Sequence, residues 1–474
     1  MKTSIILNTD SYKASMHVQY PPNTQTVFSY IESRGGKYDE TVLFGVQAFI
    51  KEYMLDPITK SDIDLAEEIW IAHGEPFNRA GWEHILEKHN GFLPVKIKST
   101  PEGTVIPTRN VLVTIENTDP ECFWLTTYIE TALLRAVWYP TTVATNSREI
   151  KKIIARFLDK TGDLAGLSFK LHDFGARGSS SAETAMLGGM AHLINFMGTD
   201  TISAVVGARK YYNEAIAGFS IPASEHSTIT SWGRENEVEA YRNMLNQFAK
   251  PGALLAVVSD SYDIFNATEK LWGDELRQQV IDSGATLVVR PDSGHPATIV
   301  TQLAKILDSK FGSKVNEKGF KVLNNVRVIQ GDGINADSVQ EILETLIDAG
   351  FSADNIAFGM GGALLGAPQR DDQKFALKCS AALINGDWVD VYKDPITDPG
   401  KTSKKGRLGL ICQCGVGSCG FNTVPEDVAE KVGNVLQTVY EDGQLIVDDS
   451  FSSIRGRAEL KQEDFQDEVC IDRY

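Results

Sequence analysis

From about residue 165 onward, one pattern repeats seven times: a short apolar run ends in a polar residue or a glycine, and a stretch with helical spacing follows. An interval of 26 to 41 residues separates successive run ends. That length accommodates one strand, one helix and two loops, which is typical of parallel strands joined by right-handed crossovers. Seven such units on one sheet favour a closed or nearly closed barrel. The run ends are Asp173, Asp200, His226, Asp260, Arg290, Gly331 and Gly359.

The chain on either side of the repeats lacks this rhythm and mixes short strands with helices. Strands predicted after residue 408 would return to pack on the N-terminal part. Within the repeats, Ser180 and Glu183 predict a helix capping box, and Gly350 predicts a helix end. The predicted fold class is α/β: an irregular α/β barrel with a second α+β domain built from both chain termini. The predicted boundaries are 1–150 for the N-terminal part of the α+β domain, 151–385 for the barrel and 386–474 for the C-terminal part.

The charge balance excludes several classes of partner. Lys and Arg number 46 against 63 Asp and Glu, a net charge of −17, so the overall field attracts neither nucleic acid nor an anionic membrane. No apolar run approaches the ~18 residues that cross a bilayer, and the apolar run at the N-terminus is too short for a secretory signal. We therefore expect a cytoplasmic protein. Two readings stay open for the C-x-C-x4-C spacing, unpaired thiols or a soft-metal site: Cys412, Cys414 and Cys419.

The polar residues at the run ends indicate where the chemistry lies. The carboxyl ends of parallel barrel strands lie at one rim, and that rim carries the ligand chemistry of α/β barrels. Several polar loops in register on an apolar frame are difficult to explain as surface decoration. One rim would gather Asp173, Arg177, Asp200, His226, Asp263, Arg290, Asp292 and Asp332.

Two glycine-rich turns and two arginines predict a phosphorylated ligand. The turns GARGSS (175–180) and FGMGG (358–362) would let backbone N–H groups approach an anion. Arg177 and Arg290 at the same rim could each hold phosphate by two parallel hydrogen bonds. Such turns are also common in α/β proteins that bind no phosphate.

Three carboxylates on successive strand ends, Asp263, Asp292 and Asp332, predict a cation. A cation relieves the repulsion between clustered carboxylates, and Mg²⁺ prefers oxygen ligands and bridges phosphates. The alternative is that each Asp caps the helix that follows it.

Two further rim residues could act on a substrate. His226, in SEHST, could be a nucleophile or a general base, although a lone His is more often structural. Phe174 could stack on a flat heteroaromatic ligand, although a Phe is by default a core residue. His172 falls where the strand should still be buried, and we interpret it as structural.

At these residues the chain resembles the nicotinamide phosphoribosyltransferase family, over nearly its whole length. The resemblance implies the fold of type II phosphoribosyltransferases. It also implies transfer of phosphoribosyl from 5-phosphoribosyl-1-pyrophosphate to nicotinamide, with Mg²⁺, and with ATP phosphorylating the histidine that matches His226. The motifs that carry it include TDSYK (9–13), KLHDFGARGSSS (170–181), PASEHSTIT (222–230), VVSDSYDI (257–264), RPDSGHP (290–296) and IAFGMGGALL (356–365).

The resemblance also assigns roles to residues. The nicotinamide ring would lie between Phe174 and Tyr12, with Tyr12 reaching in from the second subunit of a homodimer, and Asp200 would accept a hydrogen bond from the carboxamide. Asp263 would be the partner of His226. Phosphate, pyrophosphate and ribose would contact Arg177, Arg290, Asp292, Gly331 and Asp332, the 5′-phosphate Gly362 and Arg370, and further phosphate oxygens Arg34, Lys378 and Lys393.

Two alternatives remain at this stage. One is a nicotinate phosphoribosyltransferase on the same fold, which Asp200 argues against, because a carboxylate there would repel nicotinate. The other is a binding or signalling protein that keeps the fold without turnover, which the intact charged set at the strand ends argues against. Ala176 and Met360 depart from the residues of vertebrate members, and the loop from Arg34 to Tyr38 is shorter than theirs.

Overall fold

A computed structural model describes residues 4–397, 402–415 and 418–466 of the 474. They form two compact units. The first comprises the described residues within Met1–Thr145, Arg209–Glu214 and Pro368–Ala458, and the second those within Asn146–Ala208, Ala215–Ala367 and Glu459–Tyr474.

The helices are α1 Val46–Tyr53, α2 Lys60–His73, α3 Arg79–Lys88, α4 Leu125–Tyr128, α5 Glu130–Thr161, α6 Ala182–Leu193, α7 Ile202–Tyr212, α8 His226–Thr230, α9 Glu237–Phe248, α10 Ile264–Asn266, α11 Arg277–Ser283, α12 Pro296–Phe311, α13 Ala336–Asp348, α14 Gly362–Leu365, α15 Glu426–Val432 and α16 Phe451–Ala458. A π-helical segment, Ala267–Glu275, lies between α10 and α11. The longer 3-10 helices are Ser11–Val18 and Leu164–Phe169, and shorter ones include Pro120–Cys122, Ala176–Gly178 and Arg370–Asp372.

The strands are β1 Thr24–Ser33, β2 Glu40–Val42, β3 Val95–Ser99, β4 Val105–Pro107, β5 Val111–Asn117, β6 Leu171–Asp173, β7 Gly198–Thr199, β8 Leu254–Val258, β9 Thr286–Arg290, β10 Ser313–Val315, β11 Lys321–Leu323, β12 Val326–Gln330, β13 Ile356–Met360, β14 Phe375–Ile384, β15 Asp387–Asp390, β16 Leu408–Gly415, β17 Ser418–Pro425, β18 Gln437–Glu441 and β19 Gln444–Leu445.

The first unit is built on a seven-stranded antiparallel sheet in the order β15-β14-β1-β5-β3-β18-β19. Two strands from the C-terminal part of the chain, β14 and β18, pair with two from the N-terminal part, β1 and β3. The apolar faces of this sheet and of α1 to α4 bury one large core that includes Phe49, Trp82, Ile97 and Tyr440. Both ends of the chain therefore contribute to one sheet and one core.

The second unit contains a curled parallel sheet in the order β7-β6-β13-β12-β9-β8. Its strands are nearly continuous apolar runs; in β9, for example, Leu287, Val288 and Val289 are all buried. Strands buried on both faces have this composition, because helices cover the outside of a parallel sheet. Helices α6 to α13 supply that cover as crossovers between successive strands.

An extended segment at residues 219–224 closes the sheet into a ring. Phe219 forms a parallel bridge with Gly198 of β7, and Ala223 forms one with Ala256 of β8. The backbone N–H of Thr199 donates to the carbonyl of Phe219 at 3.0 Å, and the N–H of Ala256 donates to that of Pro222 at 2.9 Å. The six strands and this segment follow one another around the ring in sequence order. The predicted α/β barrel with a second α+β unit is confirmed, and its seven positions match the seven predicted units.

The unit boundaries and one helix start differ from the sequence predictions. The units change over at residues 145/146 and 367/368, against predicted boundaries at 150/151 and 385/386, and 209–214 belongs to the first unit. Helix α6 has its capping box one residue later than predicted, since Ser181 accepts from the Thr184 N–H at 3.1 Å and Thr184 Oγ1 accepts from the Ser181 N–H at 2.9 Å. The predicted end of α13 is confirmed, with Gly350 at a φ of +84°.

In the described part of the chain, no helix is both long enough and apolar enough to cross a membrane.

Candidate active site at the carboxyl end of the barrel

The carboxyl ends of the barrel strands bring most of the predicted rim residues to one end of the second unit. Asp173 and Arg290 are the last residues of β6 and β9, and Gly331 directly follows β12. Asp200 follows β7, and His226 is the first residue of α8, just after the closing segment.

An aromatic ring covers the apolar interior of the barrel at this end. Buried Ala256, Val288 and Ile329 form a small cluster, and Phe174 packs on it. A Cβ atom placed on Gly359 would lie 2.0 Å from Phe174 Cε2, and one placed on Gly331 would lie 3.4 Å from the same atom. The glycine at 359 is therefore required by the position of the Phe174 ring. One ring face lies over the strands, and the half-buried side chain forms part of the floor of the barrel mouth.

His226 has a carboxylate partner, and that partner is Asp260. The distance from His226 Nε2 to Asp260 Oδ1 is 2.9 Å. The other oxygen, Asp260 Oδ2, accepts from the Asp292 N–H at 3.0 Å and from Ser293 Oγ at 2.6 Å. Burial alone would raise the pKa of Asp260, but these three hydrogen bonds outweigh it and hold the pKa below its usual value. An ionised Asp260 requires His226 to carry its proton on Nε2, which leaves the Nδ1 lone pair as the nucleophilic atom of the ring.

Asp263, which the resemblance implied as the partner of His226, has a different position. It caps α10, and its Oδ1 accepts from the backbone N–H groups of Phe265 and Asn266, each at 3.0 Å. The predicted alternative, a helix cap, therefore describes Asp263. Asp260 was predicted as a strand end but not as a site residue, although the S-D-S-Y-D motif contains both carboxylates.

Asp200 belongs to a second polar group on the rim. Its Oδ1 accepts from His172 Nε2 at 2.9 Å and from Ser220 Oγ at 2.5 Å. Burial raises the pKa of Asp200, but the bonds from His172 and Ser220 more than offset it, so the pKa lies below its usual value. His172 also contacts the floor, with its ring centroid 5.1 Å from that of Phe174. His172 is thus a rim residue that holds Asp200, and not the buried structural residue that we predicted.

Arg290 lies at the rim, and one nitrogen of its guanidinium group has no hydrogen-bond partner. Its side chain is only 17% exposed, and its Nη2 is 3.9 Å from Asp292 Oδ2. The buried Arg290 Nε has no hydrogen-bond partner, and neither has the buried Gln330 Oε1 at the end of β12. Unsatisfied buried polar atoms are rare in native proteins, and at the mouth of a barrel these two atoms are available to bind a ligand.

The two glycine-rich turns pack directly on each other. A Cβ atom on Gly178 would lie 2.8 Å from Gly362 Cα, and one on Gly366 would lie 2.3 Å from the carbonyl oxygen of Gly178. This close backbone approach requires glycine at 178 and at 366, whereas a Cβ atom on Gly362 would have no neighbour within 4 Å. Arg177, in the short 3-10 helix of the first turn, is exposed beside this contact.

The three carboxylates predicted to share a cation do not form a three-ligand cluster. Asp263 caps α10, Asp332 is exposed, and Asp292 lies beside Gly331. Within the described residues, three or more metal-ligating side chains come together at one place, and that place is in the first unit. A cation at the barrel mouth would therefore need oxygen ligands from a bound phosphate or from water.

Five of the predicted binding residues lie in the first unit: Tyr12, Arg34, Arg370, Lys378 and Lys393. Arg34 Nε donates to Glu32 Oε1 at 3.2 Å, while the buried Arg34 Nη2 has no partner. Burial lowers the pKa of Lys378; Glu130 opposes this effect, and the positive charges of Arg34 and Lys393 add to it. Arg34, Lys378 and Lys393 thus lie close enough to one another to act on the same anion. Tyr12 is 55% exposed.

The cysteine cluster at 412–419 is only partly described. Cys412 is half-buried on β16, and the side chains of Cys414 and Cys419 lie outside the described residues. The backbone register of β16 and β17 places Cys414 opposite Cys419.

The chain is similar to known phosphoribosyltransferases in sequence and in fold. Residues 169–444 match the nicotinate phosphoribosyltransferase (NAPRTase) family, and residues 4–97 match the N-terminal domain of nicotinamide phosphoribosyltransferase. A nicotinamide phosphoribosyltransferase of Xanthomonas campestris pv. campestris (strain 8004) is 56% identical over 461 residues, which cover 96% of this chain and 98% of the relative. That of Acinetobacter baylyi is 31% identical, with 97% of each chain covered.

Two solved structures share the fold at low sequence identity. Nicotinate-nucleotide pyrophosphorylase from Pyrococcus furiosus superposes with a TM-score of 0.64 at 18% identity, covering 97% of this chain and 96% of the other. Human nicotinic acid phosphoribosyltransferase superposes with a TM-score of 0.57 at 15% identity, covering 97% and 95%.

Proposed function

Because the chain belongs to the nicotinamide phosphoribosyltransferase family, a family of pentosyltransferases, we propose that it transfers phosphoribosyl from 5-phosphoribosyl-1-pyrophosphate to nicotinamide. The products are nicotinamide mononucleotide and pyrophosphate, in a step of NAD biosynthesis. The observation that carries the proposal is the barrel mouth, where an aromatic floor, an ionised Asp200 and the unsatisfied Arg290 occupy one rim.

The pyridine ring of nicotinamide would stack on Phe174, whose other face is supported by the strands. Asp200 would set the choice of substrate. Both hydrogen bonds that Asp200 accepts fall on Oδ1, so Oδ2 is the oxygen offered to a carboxamide N–H. Nicotinate has a carboxylate at that position, and Asp200 would repel it because neither group carries a proton to share.

The phosphoribosyl donor would occupy the polar side of the mouth. Arg290 Nε and Arg177 supply donors for pyrophosphate oxygens, and Asp292, Gly331 and Asp332 lie where ribose hydroxyls would be held. Mg²⁺ would enter as a Mg²⁺-pyrophosphate complex, and Asp292 and Asp332, which follow the neighbouring strands β9 and β12, would accept hydrogen bonds from water on that ion. In that form it supplies charge neutralisation for the leaving pyrophosphate. Gly362 and Arg370 are the family positions for the 5′-phosphate.

The reaction is a substitution at the anomeric carbon of the ribose. The ring nitrogen of nicotinamide forms the new C–N bond with its lone pair, and the bond from the anomeric carbon to pyrophosphate breaks, with its electron pair leaving on the pyrophosphate oxygen. Phe174 and Asp200 orient the ring nitrogen, and the arginines stabilise the charge that develops on the leaving group. Positioning and electrostatic stabilisation are therefore the main catalytic contributions.

ATP would act through His226. The ionised Asp260 holds the His226 proton on Nε2, so Nδ1 attacks the γ-phosphorus of ATP and the bond to the ADP oxygen breaks. The resulting negative phosphoryl group at the rim would strengthen binding of Mg²⁺ with the donor substrate. Hydrolysis of the phosphohistidine makes synthesis more favourable, and transfer without ATP continues at a lower level.

The remaining binding residues support a homodimer with shared sites. Tyr12 is an exposed aromatic residue next to Lys13, and Arg34, Lys378 and Lys393 form a cationic group in the same unit. In the proposed dimer, Tyr12 of one subunit covers the second face of the nicotinamide ring in the other. Light scattering coupled to gel filtration tests this arrangement, and a monomeric active enzyme would contradict it.

Substrate selectivity provides the first test. Purified protein is incubated with 5-phosphoribosyl-1-pyrophosphate, Mg²⁺ and equal nicotinamide or nicotinate, and the mononucleotides are separated by chromatography. We expect nicotinamide mononucleotide, and we expect Asp200→Asn to shift kcat/KM toward nicotinate by at least about tenfold, the effect of removing one charge repulsion of ~1.4 kcal/mol. Asp348→Asn removes an exposed carboxylate at the opposite end of α13 and serves as the control.

Three results would contradict the proposal. Preference of the unaltered protein for nicotinate would assign it to nicotinate phosphoribosyltransferases. No mononucleotide from either substrate would favour a binding protein that keeps the fold. An unchanged preference in Asp200→Asn would remove Asp200 from substrate selection.

The ATP effect provides a second test. His226→Ala should abolish most of the stimulation by ATP and retain the transfer measured without it, because Nδ1 is absent but the floor and the arginines remain. His73→Ala, an exposed histidine at the end of α2, is the control. Stimulation that persists in His226→Ala would exclude the phosphohistidine.

A further inference from the structure

Four potential metal ligands of the first unit meet at one place, far along the chain from the barrel residues. His84 lies in the last turns of α3, and His89 directly follows that helix. Asp119 and Cys122 lie on the turn that follows β5, where Pro120–Cys122 forms a 3-10 helix. One ligand atom from each residue lies within 4.8 Å of the others.

The two imidazoles are directed at the same carboxylate oxygen. Asp119 Oδ2 is 2.7 Å from His84 Nε2 and 2.6 Å from His89 Nε2. The ring centroids of His84 and His89 are 5.7 Å apart. Cys122 is fully buried beneath them, while the two histidines keep about a quarter of their side-chain surface exposed. The cluster therefore has a protein side, formed by Cys122, and a side that solvent can reach.

The backbone around the cluster is held in place by its own hydrogen bonds. Asp119 Oδ1 accepts from the Glu121 N–H at 2.9 Å, which leaves Oδ2 for the cluster. The Asn117 side chain donates to the carbonyl of Asp119 at 2.8 Å and accepts from the Val27 N–H at 2.8 Å, so the turn is anchored to β1. Such supporting bonds fix the orientation of metal ligands.

Helix α3 is fixed by aromatic packing on the same side. The Trp82 ring lies 4.9 Å from that of Trp124 and 5.2 Å from that of Tyr128, centroid to centroid. Trp82 is one helical turn or less from His84, and Trp124 is two residues after Cys122. Both halves of the cluster are therefore positioned before any ligand binds.

We propose that His84, His89, Asp119 and Cys122 bind one borderline divalent transition-metal ion, Zn²⁺ above all, in a closed four-ligand site that joins the end of α3 to the turn after β5. Two imidazoles, one carboxylate and one thiolate are donors that zinc accepts, whereas Mg²⁺ and Ca²⁺ require oxygen donors throughout. Zinc bonds of roughly 2.0–2.3 Å place tetrahedral ligand atoms about 3.2–3.7 Å apart. The Nε2–Oδ2 pairs, now 2.6 and 2.7 Å apart, need to separate by about 0.6–0.9 Å to reach that geometry.

Metal binding changes the protonation of the cluster. A coordinated thiol loses its proton outright. Binding therefore releases the Cys122 proton to solvent, and each imidazole moves its N–H from Nε2 to Nδ1 so that Nε2 can coordinate.

Metal binding is measured directly on the full-length protein. The purified chain is stripped with a chelator, dialysed and titrated with Zn²⁺ alone or Co²⁺ alone, and bound metal is measured by elemental analysis. We expect one ion per chain. The Co²⁺ form should show intense visible d–d bands of tetrahedral cobalt and a thiolate-to-cobalt charge-transfer band in the near ultraviolet. Zn²⁺ should raise the melting temperature of the stripped protein.

The variants separate the cluster from other thiols and histidines. Cys122→Ser should remove the charge-transfer band, and His84→Gln/His89→Gln should weaken Zn²⁺ binding by at least about a hundredfold, the upper end of the cost of losing an outer-shell partner. Cys379→Ser and His73→Gln are the matched controls and should keep one ion per chain. If Cys122→Ser does not fold, His84→Gln alone, at a half-buried position, should lower the affinity.

The proposal is overturned by substoichiometric metal in the unaltered protein, or by metal binding that His84→Gln/His89→Gln leaves unchanged. A cobalt spectrum without the charge-transfer band would exclude Cys122 as a ligand and equally overturn the four-ligand site. The transfer reaction is not part of these readouts.

Discussion

The contact between Gly359 and Phe174 allows a quantitative test of the barrel mouth. In Gly359→Ala the new Cβ would lie 2.0, 2.3 and 2.9 Å from Cε2, Cδ2 and Cζ of Phe174. The backbone of Phe174 cannot retreat easily, because its N–H donates to the carbonyl of Met360 at 2.9 Å. The ring itself must rotate away from the strands.

Two effects of this substitution can be estimated, one on the free energy of unfolding and one on the KM for nicotinamide. Overpacking of this kind costs about 1–3 kcal/mol of unfolding free energy. A displaced ring would also lose the proposed stacking on nicotinamide, worth roughly 0.5–1.5 kcal/mol, which corresponds to an expected increase in the KM for nicotinamide of about 2- to 12-fold. Gly331→Ala is the matched control for stability, because its Cβ would lie 3.4 Å from the same ring, at ordinary contact distance.

A double-mutant cycle identifies the cause. Urea unfolding of Gly359→Ala is compared with that of Phe174→Ala and of the double variant. If the ring is the obstacle, Gly359→Ala should be nearly free of cost in the Phe174→Ala background. An equal cost in both backgrounds would refute the reasoning and assign the effect to the β13 backbone.

Two buried charges give further predictions. Burial raises the pKa of Glu102 to about 7. Between pH 4.5 and 7 the folded state therefore holds a proton that the unfolded chain releases. The free energy of unfolding should fall by up to about 3 kcal/mol as the pH rises through this range. Glu102→Gln should flatten the dependence of urea unfolding on pH; an unchanged slope would contradict this origin. Lys170 Nζ donates to the carbonyls of Ala353, Asp354 and Ile356 at 3.2, 2.9 and 3.0 Å, and burial lowers its pKa to about 8. A lowered lysine pKa disfavours the charged form in the folded state, so the free energy of unfolding should rise as the pH increases from 8 toward 10.5. Lys170→Met should remove this rise. At pH 7 the same substitution should cost about 1–3 kcal/mol, because the three carbonyls lose their donor. Thermal unfolding at several pH values checks both signs, and a variant as stable as the parent protein would show that the three bonds contribute nothing.

The repeat pattern predicted the barrel because strand and helix alternation is a local property of the sequence. Each buried parallel strand is a short apolar run, and each run end marks the rim. The closing segment at 219–224 has no regular strand, but its interval still fits the rhythm. Pairing order then follows from sequence order, since each crossover leads to the neighbouring position.

Side-chain direction was not predictable to the same degree. Asp260 and Asp263 are three residues apart in one loop, and the sequence does not distinguish the carboxylate that turns back to His226 from the one that caps α10. The same limit applies to Ser180 and Ser181, because a shift of one residue in the start of α6 changes which hydroxyl caps the helix.

The sequence carries even less information about contacts in the first unit between residues that are far apart along the chain. His84 and Asp119 belong to segments separated by three strands and several turns, and only the fold brings H-x4-H and D-x2-C together. The assignment of 209–214 to the first unit is a similar case, because α7 continues without a break in its sequence across the change of unit.

The mixed origin of the first sheet has a consequence for synthesis on the ribosome. The central strand β1 is made early, but its neighbour β14 begins at residue 375. At about 5–20 residues per second, the edge of β1 waits roughly 20–70 s for that partner, while every strand of the barrel emerges in the interval. Unpaired strand edges are templates for association with other chains. A nascent chain of this protein therefore carries a complete set of barrel strands and an unfinished sheet at the same time, and one edge each of β1 and β3 lacks its partner until β14 and β18 arrive.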